Sequence, residues 1–284
     1  MKIAVASGKG GVGKTMIASS LALLFSKEKK VVAADCDVDA ANLGLWLGVT
    51  KYDKERKIST SEKAVIDLKK CTGCGKCFEV CRYNAIDKKE KKFQVNPLLC
   101  DGCNACPLVC PENAIKLEKV YNGLIQINNS SLKFPLVAGK LLPGERCSGK
   151  IVTEVRREAE KFPFDVMVLD SSPGIGCAVN ASITNTDYVM LVTEPTPSGL
   201  SDLMRAAELV EKFRINYGII LNKWDINREF SKKIIKWSGN NFLGKISYDR
   251  KVVDSIVQLK PVIESNSIVA AEIKEIFKNK FQII

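Results

Sequence analysis

The sequence has no histidine and no apolar run long enough to span a membrane. Without imidazole, Ser-His-Asp and Cys-His catalysis are excluded, and any general base must be Asp, Glu or Lys. A membrane helix needs about 20 consecutive apolar residues, and the opening stretch from Met1 to Ala6 is interrupted at once by Gly8 and Lys9. We therefore expect no signal peptide and no stable membrane insertion, and we predict a cytoplasmic protein.

Predicted strands and helices alternate along most of the 284 residues, a length that accommodates about two domains. The strands are 2–6, 31–34, 132–139, 164–169, 187–192 and 217–221, and the helices are 14–27, 150–161, 198–212, 230–238 and 268–280. This order predicts an α/β fold with a parallel, doubly wound sheet. A lysine-rich block at 61–120, which holds eight of the eleven cysteines, predicts an inserted domain within a discontinuous one formed by 1–60 and 121–284.

A glycine-rich loop lies between the first predicted strand and the first predicted helix. It satisfies the phosphate-loop pattern G-x-x-x-x-G-K-[ST] with Gly8, Lys9, Gly10, Gly11, Val12, Gly13, Lys14 and Thr15. In such a loop the backbone amides approach the phosphates, Lys14 neutralises the β and γ oxygens, and Thr15 ligates Mg²⁺. The loop therefore predicts a binding site for a nucleoside triphosphate and Mg²⁺, and a purely structural glycine turn is the alternative.

Lys9 is an additional lysine inside this loop, which has the sequence K-G-G-V-G-K-T from Lys9 to Thr15. The sequence resembles the deviant Walker A motif of the MinD, ParA and nitrogenase iron protein superfamily. The resemblance implies an ATP-dependent homodimer, in which Lys9 reaches across the interface to the nucleotide of the partner subunit. A solvated loop lysine is the alternative.

Carboxylates follow two of the predicted strands. Asp35, Asp37 and Asp39 come after the second strand, where the superfamily carries its switch I carboxylates, and Asp170 closes another strand as a Walker B acid does. Because histidine is absent, a carboxylate must orient the attacking water. We assign this role to Asp37, with Asp39 as the second choice, and we assign Mg²⁺ to Thr15, Asp37 and Asp170. Turn-forming aspartates are the alternative.

Two further segments resemble nucleotide-contacting parts of the superfamily. Residues 171–176 resemble switch II, so Gly174 is predicted to offer its amide to the γ-phosphate. The N-K-x-D sequence at 222–225 also occurs in GTPases, but in the deviant Walker A group Asn or Asn-Lys at this point contacts adenine. We therefore predict ATP, bound through Asn222 and Lys223, and GTP or a plain β-turn are the alternatives.

The cysteine block has the doubled C-x2-C-x2-C-x3-C spacing of bacterial two-cluster ferredoxins. In those proteins the fourth thiolate of each run ligates the other 4Fe-4S cluster. The first predicted cluster is held by Cys71, Cys74, Cys77 and Cys110, and the second by Cys100, Cys103, Cys106 and Cys81. Arg82 replaces the proline that usually follows the first run, and a four-thiolate zinc site is the alternative.

Three cysteines remain. Cys147 and Cys177 resemble in placement the two cysteines through which the nitrogenase iron protein holds one 4Fe-4S cluster across its dimer interface. Two thiolates from each subunit would complete a third, bridging cluster, and burial as small apolar residues is the alternative. Cys36 has no partner in the sequence, and we expect it to be buried.

The whole chain thus resembles a MinD-superfamily ATPase with an inserted ferredoxin domain. Our first hypothesis is an ATPase whose dimerisation gates electron transfer to an unknown redox partner. The alternatives are an ATPase that assembles or delivers an iron-sulfur or metal cofactor to a recipient protein, and a MinD-like or ParA-like positioning ATPase. The net charge of +11 alone suggests nucleic acid or an anionic membrane surface as partner. Bound clusters and nucleotide would reduce this charge, so we do not expect a nucleic-acid partner.

Overall fold

The computed structural model of the protein describes residues 1–281. The strands are β1 (Lys2–Ser7), β2 (Val31–Cys36), β3 (Lys54–Ile58), β4 (Ser61–Ile66), β5 (Ile86–Lys89), β6 (Lys92–Val95), β7 (Ile115–Val120), β8 (Gly123–Asn128), β9 (Leu136–Leu141), β10 (Val166–Pro173), β11 (Tyr188–Thr193), β12 (Asn216–Asn222) and β13 (Phe242–Ile246). The α-helices are α1 (Lys14–Phe25), α2 (Leu43–Trp46), α3 (Lys76–Val80), α4 (Ala105–Val109), α5 (Ser148–Ala159), α6 (Cys177–Ile183), α7 (Pro197–Lys212), α8 (Arg228–Ser238), α9 (Lys251–Val257) and α10 (Ile268–Phe281). Short 3-10 helices cover Trp224–Asn227, Gly239–Asn241 and Val262–Glu264.

The chain divides into two compact units. The first comprises 1–56, 125–140 and the residues from Ser148 onward, and the second comprises 57–124 and 141–147. The predicted insert, 61–120, lies within the second unit. Its identity as a separate ferredoxin domain stays a prediction.

A large sheet forms the centre of the first unit, with the strand order β13-β12-β11-β1-β10-β2-β9-β8-β3. The neighbouring strands from β13 to β9 pair in parallel, which confirms the predicted parallel α/β sheet. All six side chains of β2 are buried. Because successive side chains of a strand point to opposite faces, both faces of the sheet are covered.

The sheet brings the carboxyl ends of three central strands to one edge. β10 lies between β1 and β2, and its Asp170 pairs with Val5 on one side and with Asp35 on the other. The loop after β1 leads directly into α1, and Gly13 adopts a positive φ of 98° at the start of that helix. A Cβ on Gly13 would collide with the amide of Asn222, so this position requires glycine.

The last helix, α10, packs into the core of the first unit. Its Val269, Ile273 and Phe277 are buried in the same cluster as residues of β1 and α1. The apolar side of this helix is therefore part of the core of the first unit. Within residues 1–281 no helix combines the length and apolar character of a membrane span.

The second unit contains two small antiparallel pairs, β4 with β7 and β5 with β6, together with the five-residue helices α3 and α4. Its small core is built from Ala64, Cys77, Ile86, Phe93, Cys106 and Ile115. The sequence did not predict these elements, nor the exposed strand β3, because short charged segments carry little hydrophobic periodicity.

Candidate functional site

Three side chains fix the phosphate loop, because each of them donates a hydrogen bond to a loop carbonyl. With the carbonyls bonded in this way, the loop amides and the N-terminus of α1 can bind an anion. Lys14, the first residue of α1, is buried, with 6% of its surface exposed. The bonds run from Ser7 Oγ to the Lys9 carbonyl at 2.6 Å, from Lys223 Nζ to the Gly11 carbonyl at 3.2 Å, and from Asn222 Nδ2 to the Val12 carbonyl at 2.8 Å.

A cleft of about 580 Å³ opens beside this loop. It brings together predicted residues from separate parts of the chain, namely Gly10, Gly11, Gly13, Lys14, Thr15, Asp37, Asp39 and Cys177. The cleft lining also includes Asn42, which the sequence analysis missed and whose buried side-chain oxygen has no hydrogen-bond partner within residues 1–281.

Asp170 is completely buried, and neither of its carboxylate oxygens has a hydrogen-bond partner among the described residues. Burial raises the pKa of Asp170 to about 7, although the positive charge of the Lys14 ammonium opposes the increase. Burial also raises the pKa of Asp37, which Lys14 again opposes. These groups form an acidic site in which a bound cation would replace the lost hydration of Asp170.

Asp35 was predicted only as one of the switch I carboxylates, without an individual role. Its carboxylate accepts hydrogen bonds from the Asp37 amide at 3.1 Å and the Leu43 amide at 2.8 Å, so it shapes the loop that carries Asp37. Burial and the neighbouring Asp170 raise its pKa well above the usual range. The D-C-D-V-D sequence from Asp35 to Asp39 marks Asp35 as one of several clustered carboxylates. Its hydrogen bonds to the Asp37 and Leu43 amides depend on the fold and could not be predicted.

Lys9 does not point into the cleft. Its Nζ lies 2.7 Å from Oε1 of Glu194 and 3.3 Å from the Ser198 hydroxyl, while Lys223 Nζ lies 3.4 Å from the other oxygen of Glu194. Burial opposes ionisation, but the two lysines hold the pKa of Glu194 below its usual range. Glu194 thus joins both lysines within one subunit, a role that no sequence motif had indicated.

The sequence from residue 3 to residue 262 matches the family described as the CobQ/CobB/MinD/ParA nucleotide binding domain. The chain belongs to this family. An uncharacterized protein of Methanocaldococcus jannaschii is 38% identical over 281 residues, which are 98% of this chain and 95% of that protein. An uncharacterized ATP-binding protein of the same organism is 33% identical over 285 residues, which are 98% and 96% of the two chains.

The solved structures of MinD proteins share this fold. The cell division ATPase MinD of Pyrococcus furiosus is 18% identical, with a TM-score of 0.60 over 100% of this chain and 99% of that chain. The septum site-determining protein MinD of Pyrococcus horikoshii, in complex with Mg-ADP, is also 18% identical, with a TM-score of 0.60 over 99% and 96% of the two chains. The chain therefore has the MinD-like fold of the CobQ/CobB/MinD/ParA family.

The structure corrects the role predicted for Gly174 in the segment that resembles switch II. The Gly174 amide, predicted to face the γ-phosphate, instead donates to the Ser7 carbonyl at 2.9 Å. Gly174 does not line the cleft, whereas Gly176 does. The reason is that β10 continues to Pro173 alongside β1, so the backbone at 174 is still bonded to its neighbour. Gly176 becomes the candidate phosphate contact in its place.

Asn222 is buried beneath the phosphate loop. Besides its bond to Val12, its side-chain oxygen accepts a hydrogen bond from the Lys223 amide at 2.9 Å. These contacts explain the residue as a support of the loop. The predicted contact of Asn222 and Lys223 with adenine stays a prediction.

The eight cysteines between residues 71 and 110 gather in two groups. One cavity is lined by Cys71, Cys74, Cys77 and Cys110, together with Ile66 and Phe93. Burial raises the pKa of the Cys106 thiol to about 11, and the neighbouring Cys100, Cys103 and Cys81 contribute to the increase. Among residues 1–281, no group of three or more His, Cys, Asp or Glu side chains is placed to hold a metal ion.

Backbone amides also point at the cysteine sulfurs. The Ala64, Ala85 and Ala114 amides donate to Cys100, Cys81 and Cys110 at 3.4, 3.3 and 3.4 Å. Such N–H···S bonds stabilise negative charge on sulfur, the state in which cysteine ligates a metal.

The other three cysteines differ in exposure. Cys36 is completely buried in β2, as predicted. Cys177, the first residue of α6, is exposed, and Cys147 is half-buried with a positive φ of 75°. The alternative that Cys147 and Cys177 are both buried apolar residues is therefore wrong, while the bridging cluster stays a prediction.

Proposed function

We propose that the protein is an ATPase whose nucleotide-dependent homodimerisation gates electron transfer through two 4Fe-4S clusters in the cysteine block. The observation that carries the nucleotide part is the buried carboxylate of Asp170, which has no hydrogen-bond partner among residues 1–281 and lies near the phosphate-loop Lys14 and Thr15. The observation that carries the cluster part is the cavity lined by the four cysteines assigned from spacing to one cluster.

The donors at the cleft fit Mg²⁺, which prefers oxygen ligands. Thr15, Asp37 and Asp170 would hold the ion, and the ion would neutralise charge on the nucleotide phosphates. Lys14 contributes a second positive charge from a buried position, where it acts in a low dielectric. Asp37, held by Asp35 and largely shielded from water, orients the attacking water, and the exposed Asp39 is the second choice.

Dimerisation would redirect Lys9. In the single subunit its charge is satisfied by Glu194, so reaching the nucleotide of a partner subunit requires this ion pair to break. The γ-phosphate of the partner's nucleotide offers Lys9 a stronger anionic contact than a carboxylate does. Nucleotide binding thereby favours the dimer through a difference in affinity between the two arrangements.

The cysteine groups fit 4Fe-4S clusters better than zinc. A zinc ion draws four sulfurs to within about 2.3 Å of one point, whereas a cubane spreads four thiolates around a body of four irons. The four cysteines assigned to the first cluster line a cavity. Backbone amides donate to Cys110 of that set and to Cys81 and Cys100 of the second set. When bound, such clusters carry single electrons.

The decisive experiment is the iron and acid-labile sulfide content of protein purified anaerobically, together with ATP hydrolysis. We expect about eight irons in the two clusters of each subunit and Mg²⁺-dependent hydrolysis that Lys14→Gln abolishes. ATP should change the rate at which the clusters reduce an artificial acceptor. Zinc in place of iron, or equal rates with and without ATP, would refute the redox proposal.

A second candidate is a positioning ATPase. It is favoured by the similarity to MinD structures and to the flagellum site-determining protein YlxH of Helicobacter pylori, which is 25% identical over 221 residues, 78% of this chain and 57% of that protein. ATP-dependent co-sedimentation with anionic vesicles or DNA at physiological salt, in protein with or without iron, would favour this candidate.

A further inference from the structure

A strongly basic segment surrounds the first cysteine run. Between residues 69 and 92 there are eight Lys and Arg residues and three Asp and Glu residues, whereas residues 93 to 118 contain one basic and three acidic residues. About half of the chain's net charge of +11 is therefore concentrated in 24 of its 284 residues.

The fold joins this segment into one surface. The turn between β5 and β6 lies against the loop that carries Cys71 and Cys74. Two contacts show this: the Lys91 carbonyl occupies the space that a Cβ on Gly73 would need, and the Lys92 ammonium donates to the Leu68 carbonyl. The Phe93 ring packs on Phe78 of α3, with 5.8 Å between ring centroids. We name as the basic face the exposed residues Lys69, Lys70, Lys76, Lys88, Lys89 and Lys91.

The charges of the basic face are not neutralised within its own unit. None of its lysines forms a salt bridge with a carboxylate of residues 1–281. Exposed apolar side chains lie beside and within this segment, since Leu68, next to Lys69, and Phe78 are each 52% exposed. Cys74, from the set that lines the first cavity, is also exposed here. Unpaired charge, exposed apolar groups and a predicted cluster ligand therefore coincide.

We propose that the basic face docks an acidic one-electron carrier protein, which exchanges electrons with the cluster held by Cys71, Cys74, Cys77 and Cys110. This inference rests on the proposed clusters. In the reducing direction, one electron leaves the reduced centre of the carrier, which is oxidised by one electron, and enters this cluster, which is reduced by one. No bond is formed or broken.

The observations favour a protein carrier over a polyanion. Lysines steer an acidic partner into contact and raise its association rate, while Leu68 and Phe78 offer apolar area that a phosphate backbone would leave exposed to water. The contact would also lie beside Cys74, where the path for the electron is short.

The test measures binding of an acidic bacterial ferredoxin, as the probe, to the whole protein at ionic strengths of about 0.02 and 0.15 M. The variant carries Lys88→Glu, Lys89→Glu and Lys91→Glu. The control carries the same charge change on α8, as Lys232→Glu, Lys233→Glu and Lys236→Glu. We expect wild-type binding to weaken as the salt concentration rises. The triple variant at Lys88, Lys89 and Lys91, called the hairpin variant, should bind at least about tenfold more weakly than wild type at low salt. The affinity of the control should differ from that of wild type by about twofold or less.

Equal losses in the two variants, or no binding by the wild type, would overturn the proposal. So would a hairpin variant that retains ferredoxin binding but loses binding to phosphatidylglycerol vesicles or duplex DNA, which would identify a polyanion as the ligand. Iron and sulfide are measured on every sample, and the absence of clusters would reject the proposed function. The comparison of binding between the two variants tests separately whether the basic face is the docking surface. If the Glu variant loses iron that the wild type holds, Lys→Gln changes at the same positions replace it.

Discussion

Replacing Asp170 with asparagine should stabilise the protein in the absence of nucleotide and Mg²⁺. The carboxylate is fully buried without a hydrogen-bond partner among residues 1–281, and its pKa is raised from 3.8 to about 7. At about 1.4 kcal/mol for each pH unit, ionising Asp170 in the folded protein costs about 4 kcal/mol. An asparagine side chain at this position would have nearly the same shape but no charge.

The sign of the effect follows from proton binding. Between about pH 4 and pH 7 the unfolded chain has lost the Asp170 proton while the folded protein retains it, so the free energy of unfolding falls as pH rises. The Asp170→Asn variant has no ionisable group at this position, so this decrease in the free energy of unfolding is absent from it. Asp170→Asn should therefore match the wild type near pH 4 and exceed it by up to about 4 kcal/mol at pH 8.

The assay is urea unfolding followed by tryptophan fluorescence, which reports on the first unit because all three tryptophans, Trp46, Trp224 and Trp237, lie there. Asp254→Asn, at an exposed carboxylate of α9 in the same unit but outside the cleft, is the control and should leave the pH dependence unchanged. With Mg-ATP at 100 times its dissociation constant, the wild type should gain about 2.7 kcal/mol and the variant little. A variant that is no more stable than wild type at pH 8, or that gains equally from Mg-ATP, would refute the reasoning.

Three further outcomes are expected. Glu194→Gln should release Lys9 and raise the affinity of the Mg-ATP-dependent dimer by up to about fivefold in sedimentation velocity, since a partly exposed ion pair is worth about 1 kcal/mol at most. A weaker dimer would contradict the hypothesis that Glu194 holds Lys9 away from the interface. Cys147→Ser with Cys177→Ser should lower the iron content from about ten to about eight per subunit if a third cluster bridges the dimer, and an unchanged content rejects that cluster. Asn222→Ala should weaken ATP and GTP binding alike by about tenfold through loss of a buried hydrogen bond, whereas a loss confined to ATP would instead indicate contact with adenine.

Much of the nucleotide site could be predicted from the sequence because its chemistry lies in contiguous residues. The loop from Gly8 to Thr15 encodes its own turn and the start of α1, and a parallel α/β pattern places the ends of neighbouring strands at one edge. Asp37 and Thr15 were accordingly predicted, and both line the cleft. Gly174 was misjudged because its amide partner, Ser7, belongs to a different strand.

What the sequence alone determined is the set of local patterns: the phosphate loop, the alternation of strands and helices, and the doubled cysteine spacing. What only the tertiary structure decided is which distant groups meet. Glu194 reaches Lys9 across 185 positions of the chain, and Asn222 reaches Val12 across 210. Local spacing fixes the groups within one turn or loop, but the pairing of strands and the burial of charge at their shared edge arise only when the whole sheet is assembled.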